Sequence, residues 1–373
     1  TTLFRSWIFV KISTDEGIEG WGEMISGTKT ETVVAGAYEI GNRLIGRNPF
    51  EIERLFQEMH RSFFRGGPIN GTIVSGLEMA LWDIKGKAFN VPVYELLGGA
   101  ARDKIKVYSW IGGDRPSEVA EQAQDRFDRG FTAVKMNATE ELHYIDSYQK
   151  VDEVVERVAS IRERFGDAMD IGVDFHGRVH KPMAKVLAKA LEPFHPMFLE
   201  EVVLPENEEH FKEVADSVAV PLATGERLYT RWQFKNLFKQ GTVDIIQPDV
   251  ALCGGILETR KIAAMAEAYD MAVAPHAPYG PVALAATLQV DSCTPNVFIQ
   301  EQSLGIHYNK GFDLLDFVKN KEVFQYKDGY VDLPSKPGLG LEMDEDKIKE
   351  IAQEGLIWTN PQWKNYDGTI AEW

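Results

Sequence analysis

The chain has 373 residues, of which 44% are hydrophobic, and a formal net charge of −17 at pH 7. This length fits one large domain with a smaller one, and the composition allows a substantial buried core. The negative charge argues against nucleic acid as a partner. The sequence also contains no run of 18 or more apolar residues, which is about the length needed to span a membrane. The chain has only two cysteines, Cys253 and Cys293, and such low cysteine content is typical of buried thiols in a reducing compartment. Because the start of the chain also lacks a signal-peptide pattern, we expect a reduced, cytoplasmic protein.

The first hundred residues have the pattern of a small α+β module. An apolar, β-rich stretch begins at Trp7, and Gly20-Trp-Gly-Glu23 follows a turn, which indicates a β-hairpin. From Glu31 to about Ala88 the apolar residues recur at helical spacing. The pair Gly98-Gly99 is typical of a boundary between domains.

After this boundary, short β-rich runs alternate with helical stretches. The eight runs are Ile105–Trp110, Thr132–Asn137, Asp170–Asp174, Met197–Glu201, Val220–Thr224, Val243–Gln247, Ala272–His276 and Val297–Glu301. Eight strands with helices between them are the count of a closed (β/α)8 barrel, so we predict an α/β fold of this type. The predicted parts are an α+β module over residues 1–100, the barrel over 101–303, and a segment over 304–373 that returns to the first module.

Ionisable residues recur at the ends of the predicted strands, where the active site of such a barrel lies. They are Asp174 and His176 on strand 3, Glu200 or Glu201 on strand 4, Glu226 after strand 5, Asp249 after strand 6, His276 on strand 7 and Glu301 on strand 8. Successive members are about one β/α unit apart, which places them at one level of the barrel.

Asp174, Glu200 and Glu226 would bring three carboxylates together. Buried like charges repel unless a cation lies between them, so we predict a metal site with these ligands and Mg²⁺ as the metal. Neighbours along a strand point to opposite faces, so only one of Glu200 and Glu201 faces the site. The spacing from Asp174 favours Glu200.

Two histidines join this ring. His176 lies two residues after Asp174 and therefore on the same face of its strand. His276 ends the strand next to Asp249, and a carboxylate beside an imidazole fixes its tautomer and raises its basicity. Such a site would remove the α-proton of a carboxylate substrate, because Mg²⁺ stabilises the enediolate, and would then expel a β-hydroxyl.

Five stretches carry a family resemblance. They are Tyr108-Ser-Trp-Ile-Gly-Gly-Asp-Arg-Pro116, Asp174-Phe-His-Gly-Arg-Val179, Gln247-Pro-Asp249, Ala274-Pro-His276 and Gln300-Glu-Gln-Ser-Leu-Gly-Ile-His-Tyr-Asn-Lys310. The chain as a whole resembles the mandelate racemase branch of the enolase superfamily, and these stretches resemble its D-galactonate dehydratase family. The resemblance implies a modified (β/α)8-type TIM barrel with an α+β N-terminal capping domain, and a homo-oligomer.

The resemblance also implies roles for the ring residues. Asp174, Glu200 and Glu226 match metal ligands, His276 the proton-abstracting base, Asp249 its dyad partner, His176 the acid that assists loss of the 3-hydroxyl, and Glu301 an acid that helps stabilise the enediolate. The implied activity is conversion of a small sugar acid, D-galactonate, to 2-dehydro-3-deoxy-D-galactonate and water.

Four further residues are predicted to contribute to substrate binding: Lys135, Asn137, Glu23 and Arg65. Asn137 stands where racemases of this branch carry a second catalytic lysine, and asparagine cannot abstract a proton. An isomerase (a racemase or epimerase) is therefore disfavoured. A dehydratase for another sugar acid, such as gluconate or a pentonate, stays open. A non-catalytic sugar-acid-binding protein would be expected to lack part of the metal triad or a histidine. Tyr279, in the loop after strand 7, departs from the expected pattern.

Overall fold

The computed structural model describes residues 7–25, 27–61, 65, 67–302, 313–353 and 361–372. Its first element is the predicted hairpin, in which β1 (Trp7–Ser13) pairs with antiparallel β2 (Glu19–Ile25). The helices that follow are α1 (Thr30–Gly41), α2 (Ile52–His60), α3 (Pro68–Phe89) and the short α4 (Val93–Leu96). Strand β2 packs directly on α3. The two backbones approach so closely that a Cβ atom at Gly22 would overlap the carbonyl oxygen of Gly76. The hairpin and helices thus form one packed module.

Eight strands follow, and each overlaps one of the runs predicted from the sequence. They are β3 (Lys104–Ile111), β4 (Ala133–Asn137), β5 (Asp170–Asp174), β6 (Phe198–Glu200), β7 (Leu222–Thr224), β8 (Ile245–Ile246), β9 (Ala272–Val273) and β10 (Gln300–Gln302). The α-helices that alternate with them are α5 (Val119–Asp128), α6 (Tyr148–Phe165), α7 (Lys181–Leu191), α8 (Phe211–Ala215), α9 (Arg231–Gln240), α10 (Ile256–Glu267) and α11 (Pro281–Ser292).

The strands from β3 to β9 pair in parallel with their neighbours, and β10 pairs with β3. The closed ring expected from the sequence is not complete, because β9 and β10 do not form a regular ladder. One isolated bridge joins Val273 to Val297 there, and the Val273 N–H donates to the carbonyl oxygen of Asn296 at 2.9 Å. Strand β9 has only two residues, which leaves little backbone for further pairing.

Apolar side chains fill the interior of the barrel below the strand ends. The cluster consists of Tyr108, Ala133, Phe198, Ala223, Ile245, Ala274 and Ile299. Because side chains alternate between the faces of a strand, the next inward position after Ala133 is Lys135, and the next after Phe198 is Glu200. A packed apolar layer therefore supports a layer of charged side chains.

The C-terminal segment contacts both the barrel and the first module. Its elements are β11 (Tyr326–Lys327), β12 (Tyr330–Asp332) and α12 (Glu345–Ala352), and β12 pairs antiparallel with β3. The Leu339 N–H donates to Asp83 of α3 at 2.9 Å, and Lys11 of β1 pairs with Glu345 at 2.7 Å. The division at residues 100 and 303 stays a prediction. Among the described residues, no helix combines the length and apolarity needed to cross a membrane.

Candidate active site at the strand ends

Asp174, Glu200 and Glu226 lie together at the carboxyl ends of β5, β6 and β7. One carboxylate oxygen of each residue lies within 4.8 Å of those of the other two. Burial, with repulsion from Glu226, raises the pKa of Asp174 to about 7. Burial and repulsion from Asp174 raise the pKa of Glu200 well above its ordinary value. Three oxygen donors that repel one another at this separation match the ligand chemistry of a hard dication, so these residues fit a metal ion.

The backbone separates Glu200 from its neighbour Glu201. Glu201 has a φ of 47°, a left-handed conformation that turns its side chain away from the triad. Its carboxylate instead accepts hydrogen bonds from the Thr224 hydroxyl and, at 3.1 Å, from Nε of Arg227. Glu200 also accepts a bond from Nε2 of Gln247 at 2.6 Å. The structure thus brings Glu200, rather than Glu201, together with Asp174, as the spacing favoured.

Lys135 is a buried cation within this cluster. Its Nζ lies 2.6 Å from Glu200, 2.9 Å from Glu301 and 3.8 Å from Asp174. Burial lowers the pKa of Lys135, but Glu200 and Glu301 outweigh it and hold the pKa well above its ordinary value. The ammonium group is therefore charged and offsets part of the negative charge of the carboxylates.

His276 and Asp249 form a buried pair. The Nδ1 of His276 lies 2.7 Å from Asp249 Oδ2, and its Nε2 lies 3.3 Å from Glu226 and 4.0 Å from Glu301. Burial lowers the pKa of His276, but Glu226 and Asp249 outweigh it and raise the pKa to about 9. Glu301 also accepts the N–H of Ala277 at 3.0 Å, so it holds the residue next to the histidine.

His176 follows β5, two residues after Asp174. Its φ of 55° is left-handed, and its N–H donates to Asp174 at 2.6 Å. Nη2 of Arg178 donates to its Nδ1 at 3.0 Å, and Oδ1 of Asn137 lies 3.3 Å from the same nitrogen. Burial and the Arg178 charge hold the pKa of His176 well below its ordinary value. Since arginine only donates, this contact places the neutral imidazole proton on Nε2.

Three residues around the triad were not predicted from the sequence as site residues: Arg178, Arg227 and Gln247. Arg178 and Gln247 lie within stretches that carried the family resemblance, which was an available signal. Arg227 directly follows Glu226, and its Nη2 donates to the carbonyl oxygen of His176 at 3.0 Å. It was missed because a lone arginine after a strand is usually a surface residue.

Glu23 and Arg65, both predicted to contribute to substrate binding, are not brought into the cluster. Glu23 is fully buried, and both of its carboxylate oxygens accept backbone N–H groups at the start of α11. Arg65 is exposed, and its charge adds to burial in lowering the pKa of His60. Substrate binding by either residue stays a prediction that this geometry does not favour. Residues 303–310 of the quoted stretch that begins at Gln300 lie outside the described residues, as do residues 64 and 66 on either side of Arg65.

Two family models match the chain. The N-terminal domain of mandelate racemase / muconate lactonizing enzyme matches residues 1–98, and the enolase C-terminal domain-like family matches residues 118–347. The D-galactonate dehydratases of Variovorax paradoxus (strain S110) and Cronobacter sakazakii (strain ATCC BAA-894) are each 51% identical to the chain over 368 residues, which cover 98% of this chain and 96% of each relative.

A solved structure is similar along the whole chain. It is an enolase from Agrobacterium radiobacter, provisionally assigned as a galactarate dehydratase and crystallised with sodium and L-malate bound. The identity is 34%, the TM-score is 0.90, and the match covers 100% of this chain and 97% of the other. The N-terminal module is thus the capping domain of an enolase-type fold. The protein is an enzyme of the lyase class that dehydrates sugar acids. The chain belongs to the mandelate racemase branch of the enolase superfamily, where it is similar to D-galactonate dehydratases.

Proposed function

We propose that this protein converts D-galactonate to 2-dehydro-3-deoxy-D-galactonate and water with Mg²⁺ as its cofactor. The observation that carries the proposal is an acidic triad with one histidine from β5 and another from the end of β9. These strands are four positions apart in the order of the barrel strands. Both imidazoles are close enough to Glu226 to lower its pKa. Two groups that transfer protons therefore face the space beside the triad from different sides.

His276 is the proposed base. When its Nδ1–H donates to Asp249, the lone pair of Nε2 points towards the cluster, where Glu226 and Glu301 lie. This nitrogen accepts the proton from carbon 2 of the substrate. Asp249 keeps the imidazole in that tautomer and stabilises the imidazolium that forms.

His176 is the proposed acid. Arg178 places its remaining proton on Nε2, and the bond from its own N–H to Asp174 fixes the backbone beside the triad. The site keeps this imidazole neutral, so it must gain a second proton, on Nδ1, before it can act as the acid. Oδ1 of Asn137 lies 3.3 Å from Nδ1 and can accept that N–H in place of the bond from Arg178. The anionic substrate supplies negative charge next to the ring, and the departing oxygen develops more, so both favour the imidazolium.

The proton inventory balances. The proton on carbon 2 goes to His276, the electron pair it leaves forms the carbon 2–carbon 3 double bond, and the 3-hydroxyl departs as water with a proton from His176. The resulting enol becomes the 2-keto acid when carbon 3 gains a proton and the 2-hydroxyl loses its own, and exchange with solvent then removes the proton from His276 and returns one to His176. Mg²⁺, held by Asp174, Glu200 and Glu226, would neutralise the triad, lower the pKa of His276 and withdraw charge from the substrate carboxylate. The Lys135 ammonium group, between Glu200 and Glu301, offsets part of the negative charge around the same space.

The substrate is tested with a panel of aldonic acids and Mg²⁺, with semicarbazide to detect 2-keto-3-deoxy products. We expect a signal with D-galactonate that chelation removes, because the relatives at 51% identity carry this activity in their names. A stronger signal with gluconate or a pentonate would change the substrate but retain the reaction. No signal with any acid would contradict the dehydratase proposal.

The two histidine roles are separated by substrate proton exchange in D₂O. His276→Asn should lose both exchange at carbon 2 and dehydration, whereas His176→Asn should lose dehydration and retain exchange. Asparagine tolerates the left-handed backbone at His176. The matched control is His195→Asn, since His195 is exposed and also left-handed, with a φ of 48°. Retention of exchange in His276→Asn would show that this residue is not the base.

A further inference from the structure

Two buried glutamates of the capping domain bind the starts of consecutive barrel helices. Glu23 of β2 accepts the N–H groups of Gly280 at 2.6 Å, Val282 at 3.1 Å and Ala283 at 3.0 Å, all at the start of α11. Glu78 of α3 accepts those of Ile256 at 2.8 Å and Leu257 at 3.0 Å, at the start of α10. Both glutamates have 0% exposure. We call this pair the cap carboxylates.

The barrel helices leave room for these side chains. The first N–H groups of a helix need an acceptor, which is commonly the side chain of the residue just before the helix. That position is Gly255 before α10 and Gly280 before α11, and neither supplies a side-chain acceptor. A Cβ at Gly255 would overlap the Glu78 carboxylate, and a Cβ at Gly280 would overlap that of Glu23. The capping domain therefore supplies the acceptors that the barrel sequence lacks.

The two helices follow the two residues of the proposed proton-abstracting pair. Residues 250–255 connect Asp249 to α10, and residues 277–280 connect His276 to α11. Each loop is held at its near end within the barrel, since Asp249 accepts the N–H of Ala251 and Glu301 accepts that of Ala277. The cap carboxylates hold the far ends.

We infer that Glu23 and Glu78 are positioning residues for the Asp249–His276 pair: contact between the capping domain and the barrel fixes both loops and so the 2.7 Å separation of the pair. This inference rests on the proposed function, because it takes the pair to be the one that abstracts the proton. The two carboxyl groups lie at the positive ends of the helix dipoles, in surroundings where water does not compete, and their hydrogen bonds are charge-assisted when the groups are ionised. Both loops therefore depend on the capping domain.

The test uses Glu23→Gln and Glu78→Gln in the full chain. Glutamine keeps the volume but turns one acceptor oxygen into an NH₂ donor, which faces backbone N–H groups and loses part of the bonding. We expect kcat to fall about 10- to 100-fold while KM changes less than about 2-fold, since reacting groups are misplaced without loss of the binding groups. Far-UV circular dichroism and Mg²⁺ titration check that the fold and the metal site persist.

The matched control is Asp83→Asn. Asp83 is also a buried carboxylate of α3 that accepts backbone N–H groups, but from Trp21 at 3.0 Å and Leu339 at 2.9 Å, away from the two loops. The Asp83→Asn substitution should lower thermal stability and leave kcat within about 2-fold, because the loss of these two hydrogen bonds does not move the reacting groups. Equal effects of Asp83→Asn and the glutamine variants on kcat would overturn the inference.

Amide hydrogen exchange separates this inference from the proposed function, because it needs no substrate. Glu23→Gln should speed exchange in residues 277–284 and Glu78→Gln in residues 250–257, each with little effect on the other loop. If the wild-type protein dehydrates nothing but these loops respond as expected, the positioning by the capping domain stands and the assigned reaction fails. Unchanged exchange in both loops would overturn the positioning itself.

Discussion

Replacing Lys135 by methionine removes the buried ammonium group that lies between Glu200 and Glu301. Three carboxylates lie within 4 Å of its Nζ, and its side chain has 2% exposure. Methionine fills a similar apolar volume, so the main loss is the positive charge. The metal-free variant then buries carboxylates that have lost their nearest compensating cation.

Removing one partner of a buried ion pair costs about 3–5 kcal/mol, because the remaining charge stays uncompensated. Proton uptake limits this cost. Burial raises the pKa of Asp174 to about 7 and holds the pKa of Glu200 well above its ordinary value. A carboxyl group with a raised pKa in the folded state is stabilising below its ordinary pKa, and this contribution is lost as the pH rises through the folded-state value. The destabilisation by Lys135→Met should therefore be smaller at pH 6 than at pH 8.

The measurement is urea unfolding at both pH values, with chelator and with saturating Mg²⁺. The matched control is Lys106→Met on β3, whose Nζ lies 2.8 Å from Asp170 in a pair that is 29% and 46% exposed. This control should cost at most about 1 kcal/mol, as expected for a surface pair. Mg²⁺ should narrow the difference between Lys135→Met and wild type by supplying positive charge to the triad. If Lys135→Met costs no more than the control at pH 8 in chelator, the charge-balance argument is wrong.

Three further predictions concern the same site. Glu200→Gln should weaken Mg²⁺ binding about 100-fold or more in calorimetry, and Glu201→Gln less than about 10-fold, because the Glu201 carboxylate is directed away from the triad. Asp249→Asn should lower kcat about 10²- to 10⁴-fold with little change in Mg²⁺ affinity, as steady-state kinetics and calorimetry would show. In chelated protein, His276 should titrate by NMR near pH 9, and Mg²⁺ should lower that value. Since the folded-state pKa of His276 lies above its ordinary 6.5, its stabilising contribution is complete below pH 6.5 and lost as the pH rises through about 9. His276→Asn should flatten this part of the pH–stability curve.

The sequence could place the triad because two periodicities act together. One β/α unit separates Asp174, Glu200 and Glu226, and the two-residue period of a strand decides which side chains face inward. The same reasoning put His176 beside Asp174. It could not reveal the Arg178 contact, because that depends on left-handed φ angles of 55° at His176 and 58° at Gly177, which turn the chain back after the strand.

Glu23 shows where sequence reasoning stopped. The hairpin that carries it was predicted, but its partners lie 257 to 260 positions further along the chain. No local pattern indicates which barrel helix a hairpin will contact. Glu23 was therefore predicted to bind substrate together with the loops, and this stays a prediction; the bonds that both of its carboxylate oxygens accept at the start of α11 could not be predicted.

The charge balance of the site also links the metal to the substrate. Lys135 lies 2.6 Å from Glu200 and 2.9 Å from Glu301, and Arg227 lies 3.7 Å from Glu226, so the chain's own cations offset part of the negative charge of the triad. A dication held by Asp174, Glu200 and Glu226 would share Glu200 with Lys135 and so weaken the attraction between that carboxylate and the ammonium group. Lys135 would keep Glu301 as a partner at 2.9 Å, and its positive charge would also attract an anionic substrate beside the triad. Metal binding and substrate-carboxylate binding should then favour each other, even though the net charge of the whole chain is −17.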